Sequence, residues 1–123
     1  MSNSHCFGIH LTDDNQLVVC QRQKGQTLSW QRLKNEAEGL ATLRQLITSN
    51  PTKPWICIDS ARTSGLNLAI RLMKDLPRAE VALISPHFLR QRFDDFRHRS
   101  AGRAQGKLEV VAEFLAHYAE RLV

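Results

Sequence analysis

The chain has 123 residues, 42% of them hydrophobic and 24% charged, with no low-complexity run. That is enough for one compact domain whose core needs no disulfide or metal staple, and the mixture excludes a disordered or collagen-like chain. Seventeen Lys and Arg against twelve Asp and Glu give a formal charge of +5, which favours an anionic partner, nucleic acid ahead of a membrane surface.

Met1–His5 is short and polar, so a secretory leader is not expected. No apolar run approaches the ~20 residues of a membrane span, and no membrane partner is expected. Cys6–Leu11 is apolar and reads as a first strand, closed by the polar cluster Thr12-Asp13-Asp14-Asn15. Leu17–Gln21 resumes an apolar run up to a second turn at Lys24-Gly25. Thr27–Leu33 then alternates Leu28, Trp30 and Arg32 with Thr27, Ser29 and Gln31, the period of a strand. Connections this short imply an antiparallel three-stranded meander.

The period then changes. Asn35 with Glu38 three positions on has the capping-box arrangement, and Leu40, Leu43, Leu46 and Ile47 follow at helical spacing until Asn50-Pro51. Trp55–Ile58 is short, apolar and β-branched, as a buried parallel strand should be. Ser64 can cap a helix through Leu76 with Leu68, Leu72 and Leu76 on one face, and Pro77 closes it. Glu80–Ile84 is another buried strand, 86–96 a short helix, 97–106 a polar loop and Lys107–Val123 a final helix. The order is β-β-β-α-β-α-β-α over a single domain, 1–123. It predicts an α/β fold with a mixed five-stranded sheet and helices on both faces, the RNase H-like (RuvC-like) arrangement. Cys6, Cys20 and Cys57 fall in its hydrophobic segments without metal-type spacing. They are expected to be buried reduced thiols in a cytoplasmic compartment.

A nuclease of that fold holds two Mg²⁺ about 4 Å apart between carboxylates from the first strand, the end of the fourth strand and the last helix, because Mg²⁺ demands hard oxygen ligands. Four segments bear on this. Phe7-Gly8-Ile9-His10-Leu11-Thr12 resembles the Gly-Ile-Asp-Val-Ser opening of the Piv-like DNA invertases and related insertion-sequence transposases. Ile56-Cys57-Ile58-Asp59-Ser60-Ala61 resembles their hydrophobic strand ending in Glu-Ala-Thr-Gly. Val81-Ala82-Leu83-Ile84-Ser85-Pro86, with Arg92-Phe93 downstream, resembles their strand-Asn-Pro segment. Gln105-Gly106-Lys107-Leu108-Glu109 stands where they carry Thr-Asp-(Lys/Arg)-x-Asp. The resemblance implies an N-terminal RuvC-like domain with an Asp-Glu-Asp-Asp tetrad, but the tetrad positions read His10, Asp59, Gly106 and Glu109. Two of four carboxylates remain, beside an imidazole that suits Zn²⁺ or Mn²⁺ better than Mg²⁺. A two-metal centre is therefore not expected, and no cofactor is implied unless a residual Mg²⁺- or Mn²⁺-dependent nuclease survives on Asp59, Glu109 and His10.

Each of these residues has a structural reading as well. His10 can be a hydrogen-bonded strand histidine, Asp59 can cap the helix that follows, and Glu109 suits a helix start by the macrodipole alone. Asp13 and Asp14 could replace the lost first-strand carboxylate, although a turn role is the simpler one. Arg90, Arg92, Arg97, Arg99, Arg103 and Lys107 form the second constellation, either a phosphate-binding rim or a solvated face offset by Asp94 and Asp95. Leu89, Phe93 and Phe96 are spaced as a packing stripe of the same segment. The last helix carries Leu108, Val111, Leu115, Tyr118 and Leu122 at 3-4-3-4 spacing, with Phe114 widening the stripe; it packs on the sheet or pairs with a partner helix. In the resembled recombinases a helical linker and a second domain with a Ser nucleophile follow, so strand transfer of their kind is not expected here. Three functions stay open: a catalytically degenerate nucleic-acid-binding domain; an interaction or regulatory module, as homodimer or recombinase partner; and a residual metal-dependent nuclease.

Overall fold

The computed structural model describes residues 5–49, 51–59, 63–85, 87–89, 91–92 and 107–123, of Lys107 the backbone only. Five strands and three longer helices follow the expected order: β1 His5–Leu11, β2 Gln16–Gln23, β3 Gln26–Lys34, α1 Ala37–Thr48, β4 Pro54–Asp59, α2 Thr63–Asp75, β5 Glu80–Ile84 and α3 Lys107–Leu122. Residues 87–89 and 91–92 are helical as well. The strands form one mixed sheet in the order β3-β2-β1-β4-β5. The β1–β2 and β2–β3 pairs are antiparallel, and the β1–β4 and β4–β5 pairs parallel.

Local chemistry accounts for the meander. Lys24 (φ 54°) and Gly25 (φ 76°) form a two-residue loop with both residues left-handed, the backbone twist that closes a tight hairpin. Between β1 and β2, Asn15 takes φ 62°, and the Thr12 hydroxyl accepts the Gln16 N–H at 2.9 Å. Asn35 does not cap α1, which starts after Glu36 without a side-chain cap bond. Its amide NH2 instead donates to Asn15 Oδ1 at 3.0 Å and its N–H to the Asn15 carbonyl at 3.1 Å, so Asn35 is oriented by the β1–β2 turn and not by the helix end. Nor does Ser64 stand ahead of α2, whose first residue is Thr63.

Strand alternation divides the core in two. On one face Phe7, Ile9 and Leu11 of β1, Leu17 and Val19 of β2, and Ile56 and Ile58 of β4 pack with Leu40, Leu43 and Ile47 of α1 and Leu68, Ala69 and Leu72 of α2. On the other, Cys6, Val18, Cys20, Cys57 and Ile84 pack with Val111, Ala112, Phe114, Leu115, Ala116 and Ala119 of α3. The approach of α3 is close because Gly8 lies beneath it. A Cβ built at Gly8 would stand 2.8 Å from Leu115 Cβ and nearer still to the Ala112 carbonyl and Ala116 nitrogen. The three cysteines are free and buried, and burial pushes each thiol up to about 12.

Candidate functional site

His10 is the penultimate residue of β1 and Asp59 the last of β4. These strands are parallel neighbours, with Ile9 opposite Ile58. From β1 the chain turns to β2 on one side; from β4 it crosses by α2 to β5 on the other. Side chains at the carboxyl ends of two such strands border the crevice where open α/β sheets bind ligands. The row extends along the sheet: His10 pairs with Val18, Val18 with Arg32 of β3, and Asp59 with Ile84 of β5.

Asp59 is only 3% exposed. A carboxylate so buried must be compensated by hydrogen bonds. Its Oδ1 accepts the Leu11 N–H at 3.2 Å, and its Oδ2 accepts the His10 Nδ1–H. This carboxylate therefore ties β4 back to β1 rather than capping α2. The His10 side chain remains 18% exposed.

Glu109 does not join that pair. Arg32 donates to its Oε2 through Nε at 3.0 Å, with Nη2 at 2.9 Å from the same oxygen in an ion pair, and the Trp30 indole N–H donates to its main-chain carbonyl at 3.2 Å. The first turn of α3 is thus anchored over β3, at the far end of the row from Asp59. In the sequence Arg32 and Trp30 are members of an alternating strand. Their i, i+2 spacing placed them on one face, but no local signal pointed to Glu109, 77 residues away. Asp14 serves the turn, accepting the Thr12 hydroxyl at 2.5 Å, and both it and Asp13 are exposed there.

Of the basic constellation, Arg92 is described: exposed, with its guanidinium 5.4 Å from the Phe88 ring centre. Phe88 meets Tyr118 of α3 edge-on, at a centroid separation of 5.0 Å, and packs with Leu89 against the α3 cluster. Arg90, Phe93, Asp94, Asp95, Phe96, Arg97, Arg99, Arg103 and Gly106 lie outside the described residues. The last-helix stripe turns mainly inward. Val111 and Leu115 are buried, Leu108 and Tyr118 are partly buried against the same clusters, and Leu122 is 42% exposed.

Near the β2–β3 loop a second polar group fastens α3. Arg22 Nε donates to Glu120 Oε1 at 2.7 Å and its Nη1 to the Thr27 hydroxyl at 2.8 Å. The Gly25 N–H donates to Glu120 Oε2 at 2.9 Å, and Thr27 donates to the buried Glu113 at 2.8 Å. This lattice holds the hairpin to the helix and was not visible in the sequence.

Among the described residues no three His, Cys, Asp or Glu side chains come together as a metal site. The donors most suited to one are engaged: both Asp59 oxygens accept hydrogen bonds, and Glu109 is held by Arg32. No helix of the described residues is long and apolar enough to cross a membrane. Compared with known proteins, the chain matches no family model and no curated protein.

Proposed function

We propose that the chain is an RNase H-type domain that binds nucleic acid and whose two-metal centre is closed by its own side chains. The observation that carries this reading is the pairing of both surviving acids with bases: Asp59 with His10 of the adjacent strand, and Glu109 with Arg32 of β3. A divalent ion would have to displace an imidazole from one carboxylate and a guanidinium from the other, the first held at the β1–β4 pair and the second over β3. Strand order, the parallel β1–β4 core and helices on both faces agree with the RNase H-type reading.

Charge supports the choice of ligand. Between residues 90 and 107 stand six of the seventeen basic residues and two of the twelve acids, which places +4 of the chain's +5 in that segment. Self-pairing through the last helix has less support, since α3 spends Val111–Ala116 on its own sheet.

Fluorescence anisotropy of labelled duplex, branched and single-stranded DNA and of structured RNA, at several salt concentrations, tests the proposal. If three to six basic residues meet phosphates, log K against log salt falls with a slope of roughly −2 to −5. Absence of binding at low salt refutes it. Mg²⁺- or Mn²⁺-dependent cleavage that is lost in Asp59→Ala restores the metal-nuclease reading.

A further inference from the structure

We propose that His10 and Asp59 form a general-base dyad that cleaves RNA without a metal ion; this rests on the nucleic-acid-binding reading above. An ionised carboxylate is acceptor only, so His10 donates its Nδ1 proton to Asp59, and in the neutral ring the lone pair then lies on Nε2. Asp59 cannot swing away, because the Leu11 main-chain N–H holds its other oxygen. Among the described residues the only buried side-chain polar atom without a partner is His5 Nδ1. Among the described residues no hydrogen bond joins His10 Nε2 to a partner, and the ring is 18% exposed. An oriented, partly exposed imidazole at the carboxyl ends of two parallel strands is the arrangement of a base that takes a proton from a bound substrate.

The substrate class follows from what the site has and what its chemistry must do without. Hydrolysis of DNA needs an activated water and a cation for the developing charge, the work of paired metals. RNA carries its own nucleophile, the 2′-hydroxyl, and needs first a base to take that proton. His10 Nε2 accepts the 2′-hydroxyl proton, the 2′-oxygen forms a bond to phosphorus, and the bond from phosphorus to the 5′-oxygen breaks. The leaving oxygen takes a proton from water, and the imidazolium returns its own to solvent. The products are a 2′,3′-cyclic phosphate and a 5′-hydroxyl, with nothing oxidised or reduced. His10 is the catalytic residue and Asp59 the positioning residue.

The test incubates the full chain with a 5′-labelled single-stranded RNA in EDTA, alongside anisotropy of the same RNA. The expected result is cleavage ending in 2′,3′-cyclic phosphate, blocked by 2′-deoxy substitution at the scissile nucleotide. His10→Ala should lower the rate about 10²–10⁴-fold, the range of general-base catalysis, with RNA binding retained. Asp59→Asn should lower it too, and the imidazole ¹⁵N spectrum should show the Nδ1-protonated ring of the parent lost in that variant. The spectrum separates a tautomer effect from unfolding, and His10→Asn serves if Asp59→Asn does not fold. RNA bound without cleavage, or cleavage unchanged in His10→Ala, overturns the dyad and leaves the binding reading standing. No binding of any nucleic acid removes both.

Discussion

Gly8→Ala tests the seating of α3 on the central strand. The added methyl would sit 2.8 Å from Leu115 Cβ and closer to two α3 backbone atoms, where carbon contacts settle at about 3.5–4.0 Å. A side chain could rotate aside; a helix backbone cannot, so α3 must lift by roughly 1 Å from Gly8. That loosens Ala112, Leu115, Ala116 and Ala119, all at 0% exposure. Overpacking of this kind costs about 1–3 kcal/mol, and with backbone as the obstacle the upper end is expected. That is a large share of the 5–15 kcal/mol that stabilises a typical domain. With a urea m-value of about 1–3 kcal/mol/M, a 3 kcal/mol loss lowers the midpoint by roughly 1–3 M at unchanged m. A Gly8→Ala midpoint within a few tenths molar of the parent would refute the close approach of α3 to β1.

The remaining predictions concern buried titratable groups and the α3 fastening. With thiols pushed up to about 12 against 9.0 in the free side chain, the native protein should resist iodoacetamide and release three reactive cysteines on denaturation. Between those values the unfolded chain loses thiol protons that the folded one keeps, so stability falls as pH rises from about 9 to 12, measurable by urea midpoints. His5 is held below its usual 6.5 by burial. The unfolded chain therefore binds the proton first, and stability falls as pH drops through 6.5 and levels off below the folded-state value. His5→Phe should flatten that part of the profile, and an unchanged slope would count against it. Arg22→Leu strips Glu120 and Thr27 of a half-buried partner; a loss of about 1.5–3 kcal/mol is expected for charged hydrogen bonds, and a loss under about 0.5 kcal/mol would show that the lattice contributes little.

Much of the architecture is readable in local patterns. Alternation in 27–33, the helical spacing of Leu40, Leu43, Leu46 and Ile47, and the Lys24-Gly25 turn each act over a few residues, where propensity and burial dominate. The order of the elements and the burial of the three thiols follow from these local patterns. Element starts were less legible: Asn35 carries a capping signature but serves the β1–β2 turn, because a competing acceptor 20 residues away is invisible in a local window.

The candidate site divides along the same line. His10 could be placed in the first strand and Asp59 at the end of the fourth from the chain alone, since the one lies within an apolar run and the other closes one. Their hydrogen bond, the diversion of Glu109 to Arg32, and the Arg22–Glu120 lattice arise only once strand register and the seat of α3 are set. These partners lie 49, 77 and 98 residues apart. Charge pairing at that range depends on where folding delivers each side chain, whereas hydrophobic period is written along the chain.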